Sequence, residues 1–382
     1  MGYDLAIIGL GAMGSAALYQ AAKAGANVIG FDRYDPPHAL GSSHAEPRVT
    51  RLAVGEGTQY LPLVARSHEI WRELEQETGE RLLFQPGGLI IAPRTFSTAY
   101  SAHWDNFVER TAAVARAGNV PFYRQSAEQT RSAFPALRLR DDEQVGFEPS
   151  AGVVLCEKAV VAQLRRARGL GATIRPNTPI HALDLSQTHS RIQTNDGWVT
   201  AEKIILASGA WLNDLLPNLP LTVTRQVVYW FEPENSAAFS AERFPIVIWM
   251  RDRPSPFFFG VFPIPPGGIP GVKFLTEQFE VDTDPRSVDR VVSSAEIEQF
   301  YEQYVRDRMN GITPNCLKAA ACLYTSTADN NFIIDHHPDS GNVVVVSACS
   351  GHGFKHSAAV GELAAAFALS GERSAELEQF RL

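Results

Sequence analysis

The chain has 382 residues, 45% hydrophobic and 20% charged, an ordinary globular balance with room for two domains or one large domain with an insertion. Its net charge of -8, from 42 acidic and 34 basic residues, argues against a general nucleic-acid binder, which carries a basic face. No apolar run approaches the roughly 20 residues of a membrane span, and Cys156, Cys316, Cys322 and Cys349 match neither a zinc knuckle nor a disulfide framework. Asp4 and the lack of a basic leader speak against a secretory signal, and Ala6 does not fit a myristoylation pattern. A cytoplasmic protein is expected, without metal, nucleic acid or membrane as a partner.

Met1 to Asp32 reads as strand, glycine turn, helix, strand. Asp4-Leu5-Ala6-Ile7-Ile8 is an apolar run of strand length, followed at once by Gly9-Leu10-Gly11-Ala12-Met13-Gly14. Ser15 to Lys23 is small and helix-forming, Gly25 closes it, and Val28-Ile29-Gly30-Phe31 ends on Asp32. This is the dinucleotide fingerprint in its required context. Gly9 allows the tight turn, Gly11 lets a pyrophosphate approach the backbone, and Gly14 lets helix pack on strand. The phosphates sit on the free N–H groups of the helix start. Asp32 can accept hydrogen bonds from a ribose hydroxyl. The motif alone does not separate FAD from NAD.

A loop follows, Asp35-Pro36-Pro37-His38 and then Gly41-Ser42-Ser43-His44, leading to Arg48 and Arg51. If helical, that spacing puts both guanidiniums on one face. A solvated basic face and an anion site beside the cofactor are equally good readings. Tyr60 to Thr78 reads as an amphipathic helix, Gly87 to Ala92 as a strand, and His103 to Gly118 as a helix. Arg124 to Gln144 is polar and broken by proline. Val153-Val154-Leu155 leads to a helix over Ala159 to Arg168. Ala172 to Ile174 and Arg191 to Thr194 read as strands, and Ala201 to Trp211 as a buried strand ending in a small-residue turn.

From Pro217 the character changes. Thr222 to Phe231 is β-branched and aromatic, hence strand-like. Phe257 to Phe262 is an aromatic cluster, more often plain core than a substrate box, although the long loop flanking it also fits an active-site wall. The Pro263 to Gly271 loop separates it from Val272-Lys273-Phe274-Leu275. Ser294 to Arg308 reads as a helix, Ala319 to Tyr324 as a strand containing Cys322, and Asn331 to Asp335 as a strand. The last unit repeats the opening logic: the apolar strand Asn342 to Ala348, the turn Ser350-Gly351-His352-Gly353-Phe354-Lys355, and an Ala-rich helix Ser357 to Leu369. His352 and Lys355 at that helix mouth form a ready anion site.

Together Gly9 to Gly14, Asp35 to His38, Gly55-Glu56-Gly57, Phe332-Ile333-Ile334-Asp335 and Ser350 to Lys355 resemble the monomeric sarcosine oxidase and N-methyltryptophan oxidase family, from the first strand to the last helix. The resemblance implies an α/β protein with a Rossmann-like FAD domain of glutathione-reductase type and an α+β substrate domain on an antiparallel sheet. The implied boundaries are 1–85, 148–217 and 325–382 for the FAD domain, and 86–147 and 218–324 for the substrate domain. The implied reaction oxidises a secondary amine in an N-methyl amino acid and reduces oxygen to hydrogen peroxide.

The resemblance also assigns residues. Cys322, in Ala321-Cys322-Leu323-Tyr324-Thr325, matches the cysteine bonded to the flavin; from its surroundings alone, a cysteine in an apolar strand is inert core. Arg48 matches an arginine at the flavin face. Arg51 and Lys355 match the pair holding the substrate carboxylate, and Lys273 the lysine that activates oxygen. His352 and Tyr324 match residues lining the active site. Gly9, Gly11, Gly14, Asp32, Ser42, Ser43, Gly351 and Gly353 fall at cofactor contacts. The chain departs from the family where Phe259 replaces a tyrosine, Glu277 a histidine, and Ser43 the first histidine of Gly-Ser-His-His.

The reading is therefore a monomeric FAD-dependent oxidase of a small amine that carries a carboxylate. The alternatives are a flavin oxidase of cyclic imino acids, D-amino acids or Amadori products, a flavin-binding protein without amine turnover, and an NAD-dependent dehydrogenase. The last gives no reason for the final glycine turn or for Lys273.

Overall fold

The opening pattern folds as it reads: strand Tyr3–Ile8, helix Ala12–Lys23 and strand Val28–Phe31. Leu5 and Ile7 bury on one face of the sheet, Ala6 and Ile8 on the other. An apolar run without alternation is the mark of a parallel strand covered on both sides. The structure is a computed structural model that describes residues 2–94, 106–185, 190–251 and 257–382, with nothing said of the Phe257 side chain.

The first sheet sets strands Thr173–Arg175, Val28–Phe31, Tyr3–Ile8, Gly197–Leu206 and Ser340–Ser347 side by side in parallel. Ile7 pairs with Gly30 on one side and with Ile205 on the other. Helices Ala12–Lys23, Cys156–Gly169 and Ser357–Ser370 pack on one face. The first and last of these meet through small residues: a Cβ on Gly361 would stand 2.3 Å from the Ala16 Cβ.

The second sheet is antiparallel but for one pair, in the order Ile312–Ser326, Thr222–Pro233, Val272–Thr276, Phe257–Phe262, Ile246–Arg251, Gly88–Pro93, Glu143–Glu148, Tyr123–Gln125. Alternation divides it. Phe259, Val261 and Phe274 turn to a core closed by Phe300, whereas Phe258, Phe262, Leu275 and Cys322 turn toward the first sheet. The molecule is thus a mixed α/β protein with two large sheets.

Several boundaries differ from the sequence expectation. The strand ending at Ser326 begins at Ile312, well before Ala319, because Thr222–Pro233 pairs along its whole length. The helix expected to run to Arg308 is α-helical over Ser294–Phe300 and continues as a π turn over Tyr301–Val305. The expected helix from His103 is Phe107–Ala117; residues 103–105 lie outside the described part. Arg48–Thr50 is a strand paired with Gly152–Val154, not a helix, so Arg48 and Arg51 do not share a helical face. Ile246–Arg251 and Glu143–Glu148 were not legible as strands. Among the described residues no helix is long and apolar enough to cross a membrane.

Candidate active site

The glycine turn carries the first strand into the first helix. Gly9 has φ +93°, and a Cβ on Gly14 would stand 1.7 Å from the Gly9 carbonyl oxygen, so the turn closes only with glycine there. The Asp32 carboxylate accepts from the backbone N–H of Leu10 at 2.8 Å and of Tyr34 at 2.9 Å, bracing turn and following loop together. Ser43 Oγ accepts from the N–H of Ala12 at 3.0 Å. Gly9, Gly11, Asp32, Ser42 and Ser43 line one end of a long cleft.

The cleft encloses about 1810 Å³ of space, mouth included, and runs between the two sheets. Its far wall is Arg48, Phe258, Phe262, Leu275, Glu277, Cys322 and Tyr324, with Gly351 and Gly353 from the last turn. Ser208 Oγ, Trp211 Nε1 and Thr325 Oγ1 belong to lining residues, are shielded from water and have no hydrogen-bond partner among the described residues. Buried polar atoms are seldom left so. Together with the glycine cradle and Asp32, they fit FAD: a pyrophosphate on the helix start, a ribose by Asp32, and polar ring edges at the far end.

At that far end Arg48 donates to the carbonyls of Ala45 at 2.9 Å and Ser42 at 3.0 Å. Lys273 is fully buried and donates to the carbonyls of Ala45 and Pro47, each at 2.6 Å. Its ammonium stands 4.6 Å from the centre of the Phe262 ring, and Phe262 itself lines the cleft. Lys273 does not line the cleft but sits one layer behind it. Burial, then the Arg48 charge, push its pKa down to about 7. The loop carrying these carbonyls is gripped from the other side by Glu157, which accepts from the N–H groups of Ala45 and Glu46. Glu46, Cys156 and Glu157 stand close enough to share a cation, but the Glu157 carboxylate already accepts from the Cys156 thiol and from the backbone N–H groups of Ala45 and Glu46, so Glu157 serves as a brace.

Arg51 and Lys355 converge as expected, and between them stands a residue the sequence reading gave no role. Glu56 accepts from Arg51 at 2.6 Å and from Lys355 at 3.4 Å. Burial would raise its pKa, but Arg51, then Lys355 and His352, hold the carboxyl well below its ordinary value. Lys355 also donates to the His352 carbonyl at 2.8 Å, and burial lowers its pKa to about 8. Both cations are almost wholly buried beside the cleft rather than in its lining. The result is a dry pair of cations that already holds one carboxylate.

Two expected lining residues are displaced. Phe259 is fully buried against Trp249, Phe274 and Phe300 on the far side of its sheet. Strand alternation gives the cleft to Phe258 and Phe262 instead, which the period of two could have shown. His352 does not line the cleft: its ring stacks on Phe332 at 4.9 Å and its Nε2 lies 3.0 Å from the Asn330 carbonyl. Tyr324 and Glu277 do line it, and the Tyr324 hydroxyl donates to Glu277 Oε1 at 3.0 Å. Cys349 lines the cleft as well, unforeseen, because the turn at Ser350 lays it against the cavity. Glu56 carried a usable signal, a carboxylate between two glycines just after the paired arginines.

The profile of the family described as FAD dependent oxidoreductase matches residues 4–367. Monomeric sarcosine oxidase from Bacillus sp. (strain B-0618) is 33% identical over 385 residues, covering 100% of this chain and 95% of that protein. N-methyl-L-tryptophan oxidase from Yersinia pestis (strain Pestoides F) is 33% identical over 382 residues, covering 100% and 99%. Among solved structures, NikD, described as an unusual amino acid oxidase essential for nikkomycin biosynthesis, superposes with TM-score 0.86 at 21% identity over 100% of this chain and 97% of that one. Glycine oxidase from Geobacillus kaustophilus gives TM-score 0.76 at 17% identity, covering 100% and 98%. The structural likenesses speak for the fold.

Proposed function

The chain belongs to the FAD dependent oxidoreductase family, and from that premise we propose that it oxidises the secondary amine of an N-methyl or similar amino acid to an imine, passing the electrons to oxygen to form hydrogen peroxide. It is an FAD-dependent amine oxidase. The observation that supports the substrate class is the buried Arg51–Lys355 pair beside the cleft wall, two cations whose ability to bind a carboxylate is seen in their hold on Glu56. FAD, when bound, supplies the two-electron redox chemistry. The protein's residues bind, orient and set charge. Arg51 and Lys355 take the substrate carboxylate, Phe258, Phe262 and Leu275 exclude water, and Arg48 keeps a fixed positive charge on the wall.

The proposal places the FAD domain in residues 1–85, 148–217 and 325–382 and the substrate domain in the rest, working as a cytoplasmic monomer. A peroxide-release screen across N-methyl amino acids, cyclic imino acids and D-amino acids tests the activity. Peroxide from carboxylate-bearing secondary amines is the expected result. No peroxide from any of them, with no anaerobic bleaching of the yellow protein, overturns the reading.

The cofactor is further proposed to be covalent, through Cys322. Cys322 lines the far end of the cleft, as Arg48 does, while Cys316 bonds the Lys318 carbonyl away from the cleft. Mass spectrometry of denatured protein should show the chain plus one FAD. Cys322→Ser should release the yellow colour on acid precipitation, and Cys349→Ser should not. Complete release from the unaltered protein, or retention in Cys322→Ser, refutes the assignment.

A further inference from the structure

We propose that Glu277, held by Tyr324, is the amine pocket of this site: its carboxylate receives the substrate's ammonium and takes the proton that must leave before oxidation. The inference rests on the reading above that the substrate is an amino acid. Glu277 follows directly on strand Val272–Thr276, where alternation sets it on the same side as Leu275, and both line the cleft. Its Oε1 accepts from Tyr324 at 3.0 Å; its Oε2 is shielded from water and has no hydrogen-bond partner among the described residues. A carboxyl oxygen left unpaired in a dry wall is costly, and a ligand N–H removes that cost.

Three charged or titratable groups face Glu277, each from a different element. Tyr324 comes from strand Ile312–Ser326, Glu56 from the loop after the arginine pair, and Lys355 from the start of the last helix. The last glycine turn lies against Glu277: a Cβ on Gly351 would stand 3.5 Å from its Oε1. Tyr324 is pushed well above its ordinary value by burial and then by Glu277, so it donates a hydrogen bond but holds its proton. Glu56 is committed to its two cations. Glu277 alone is poised: burial lifts it to about 7, with the Tyr324 bond pulling the other way. Lys355 sits within the electrostatic reach of Glu277 and is also part of the carboxylate clamp. A substrate carboxylate on that clamp therefore brings its own α-nitrogen toward Glu277.

The proton transfer follows from charge in a dry site. A free alkylammonium titrates near that of lysine, about 10.4, so roughly one molecule in a thousand is neutral at pH 7. Burial raises a carboxylate and lowers an ammonium, so the two approach each other as the cleft closes around them. The N–H bond breaks, an O–H bond forms on Oε2, and the electron pair stays on nitrogen. The nitrogen lone pair is then available to the oxidation that follows. An ether or thioether analogue offers no such proton and gains nothing from Glu277.

The test uses isosteric pairs with the holoenzyme. N-methylglycine is set against methoxyacetate, and L-proline against tetrahydrofuran-2-carboxylate. The concentration dependence of anaerobic flavin bleaching gives affinity for the amines; perturbation of flavin absorbance gives it for the ethers. Glu277→Gln should weaken the amine of a pair by about tenfold or more and leave the ether within about twofold. It should also remove the acid limb of kcat/KM against pH. Tyr324→Phe should move that limb to higher pH, because the lost hydrogen bond favours the ionised carboxyl. Equal losses on amine and ether, or an acid limb unchanged in Glu277→Gln, overturn the inference while leaving the amine-oxidase reading intact. An unaltered enzyme that bleaches with no amine of either pair, nor with any other amino acid, overturns that reading and this one with it.

Discussion

Lys273→Met should reoxidise about a hundredfold to a thousandfold more slowly than the unaltered enzyme after anaerobic reduction, while reduction by substrate changes far less. The expectation rests on the proposal that the Lys273 ammonium, one layer behind the cleft wall, lies near the place where negative charge develops on oxygen. Loss of one preorganised electrostatic contact of that kind commonly costs factors of this size. The structure adds a complication, since the Lys273 ammonium also ties down the carbonyls of Ala45 and Pro47. Met removes both the charge and the ties. Lys273→Gln removes only the charge, because a side-chain amide can still donate two hydrogen bonds. Both variants should therefore be slow in oxygen if charge is the cause. A fast Gln variant beside a slow Met variant would make Lys273 a brace for the loop. The pH dependence gives a second reading. Burial and Arg48 push Lys273 down to about 7, so the charge is present below that pH and lost above it. Reoxidation of the unaltered enzyme should fall as pH rises through 7, and the Gln variant should show no such fall.

How far the site was legible follows from what kind of signal each residue carried. The opening unit was readable to within three residues because local rules suffice there: an apolar run, glycines at fixed offsets, and an acid at the end of the next strand. Cys322, Tyr324 and Glu277 also came out on the cleft, all from matched motif positions, and two of them share a hydrogen bond. Phe259 failed for a physical reason. Neighbouring residues of a strand face opposite ways, so a register error of one moves a side chain from cavity to core. His352 failed because Gly351, at φ +77°, turns the chain so that the ring packs under Tyr60 and Phe332. Glu56 was missed because a carboxylate in a loop has no period to betray it, and its place between two glycines just after the paired arginines marks a position without naming a partner. Its role comes from the two cations the fold brings to it.

That trio sets the last prediction. Arg51→Met and Lys355→Met should each weaken carboxylate substrates by about tenfold or more, as loss of a charge-assisted hydrogen bond of about 1.5–3 kcal/mol implies. Neither should much alter turnover of an amine without a carboxylate. Arg51→Met has a further effect, because Glu56 is buried and Arg51 is its nearer partner, at 2.6 Å against 3.4 Å for Lys355. Breaking a buried pair by removing one partner costs about 3–5 kcal/mol, most of it from the charge left behind. Arg51→Met should thus lower Tm, and a loss of binding could then be a loss of structure. Adding Glu56→Gln separates the two. The double variant removes the stranded charge, so Tm should recover toward that of the unaltered protein while carboxylate binding stays weak. Arg51→Met and Glu56→Gln should therefore be strongly non-additive in stability. Lys355 supplies a pH signature, since burial puts its pKa near 8 and it is charged only below that. Affinity for carboxylate ligands should fall as pH rises through 8 and should not do so in Lys355→Met. If the double variant regains carboxylate binding along with stability, Arg51 holds Glu56 in place and takes no part in the clamp.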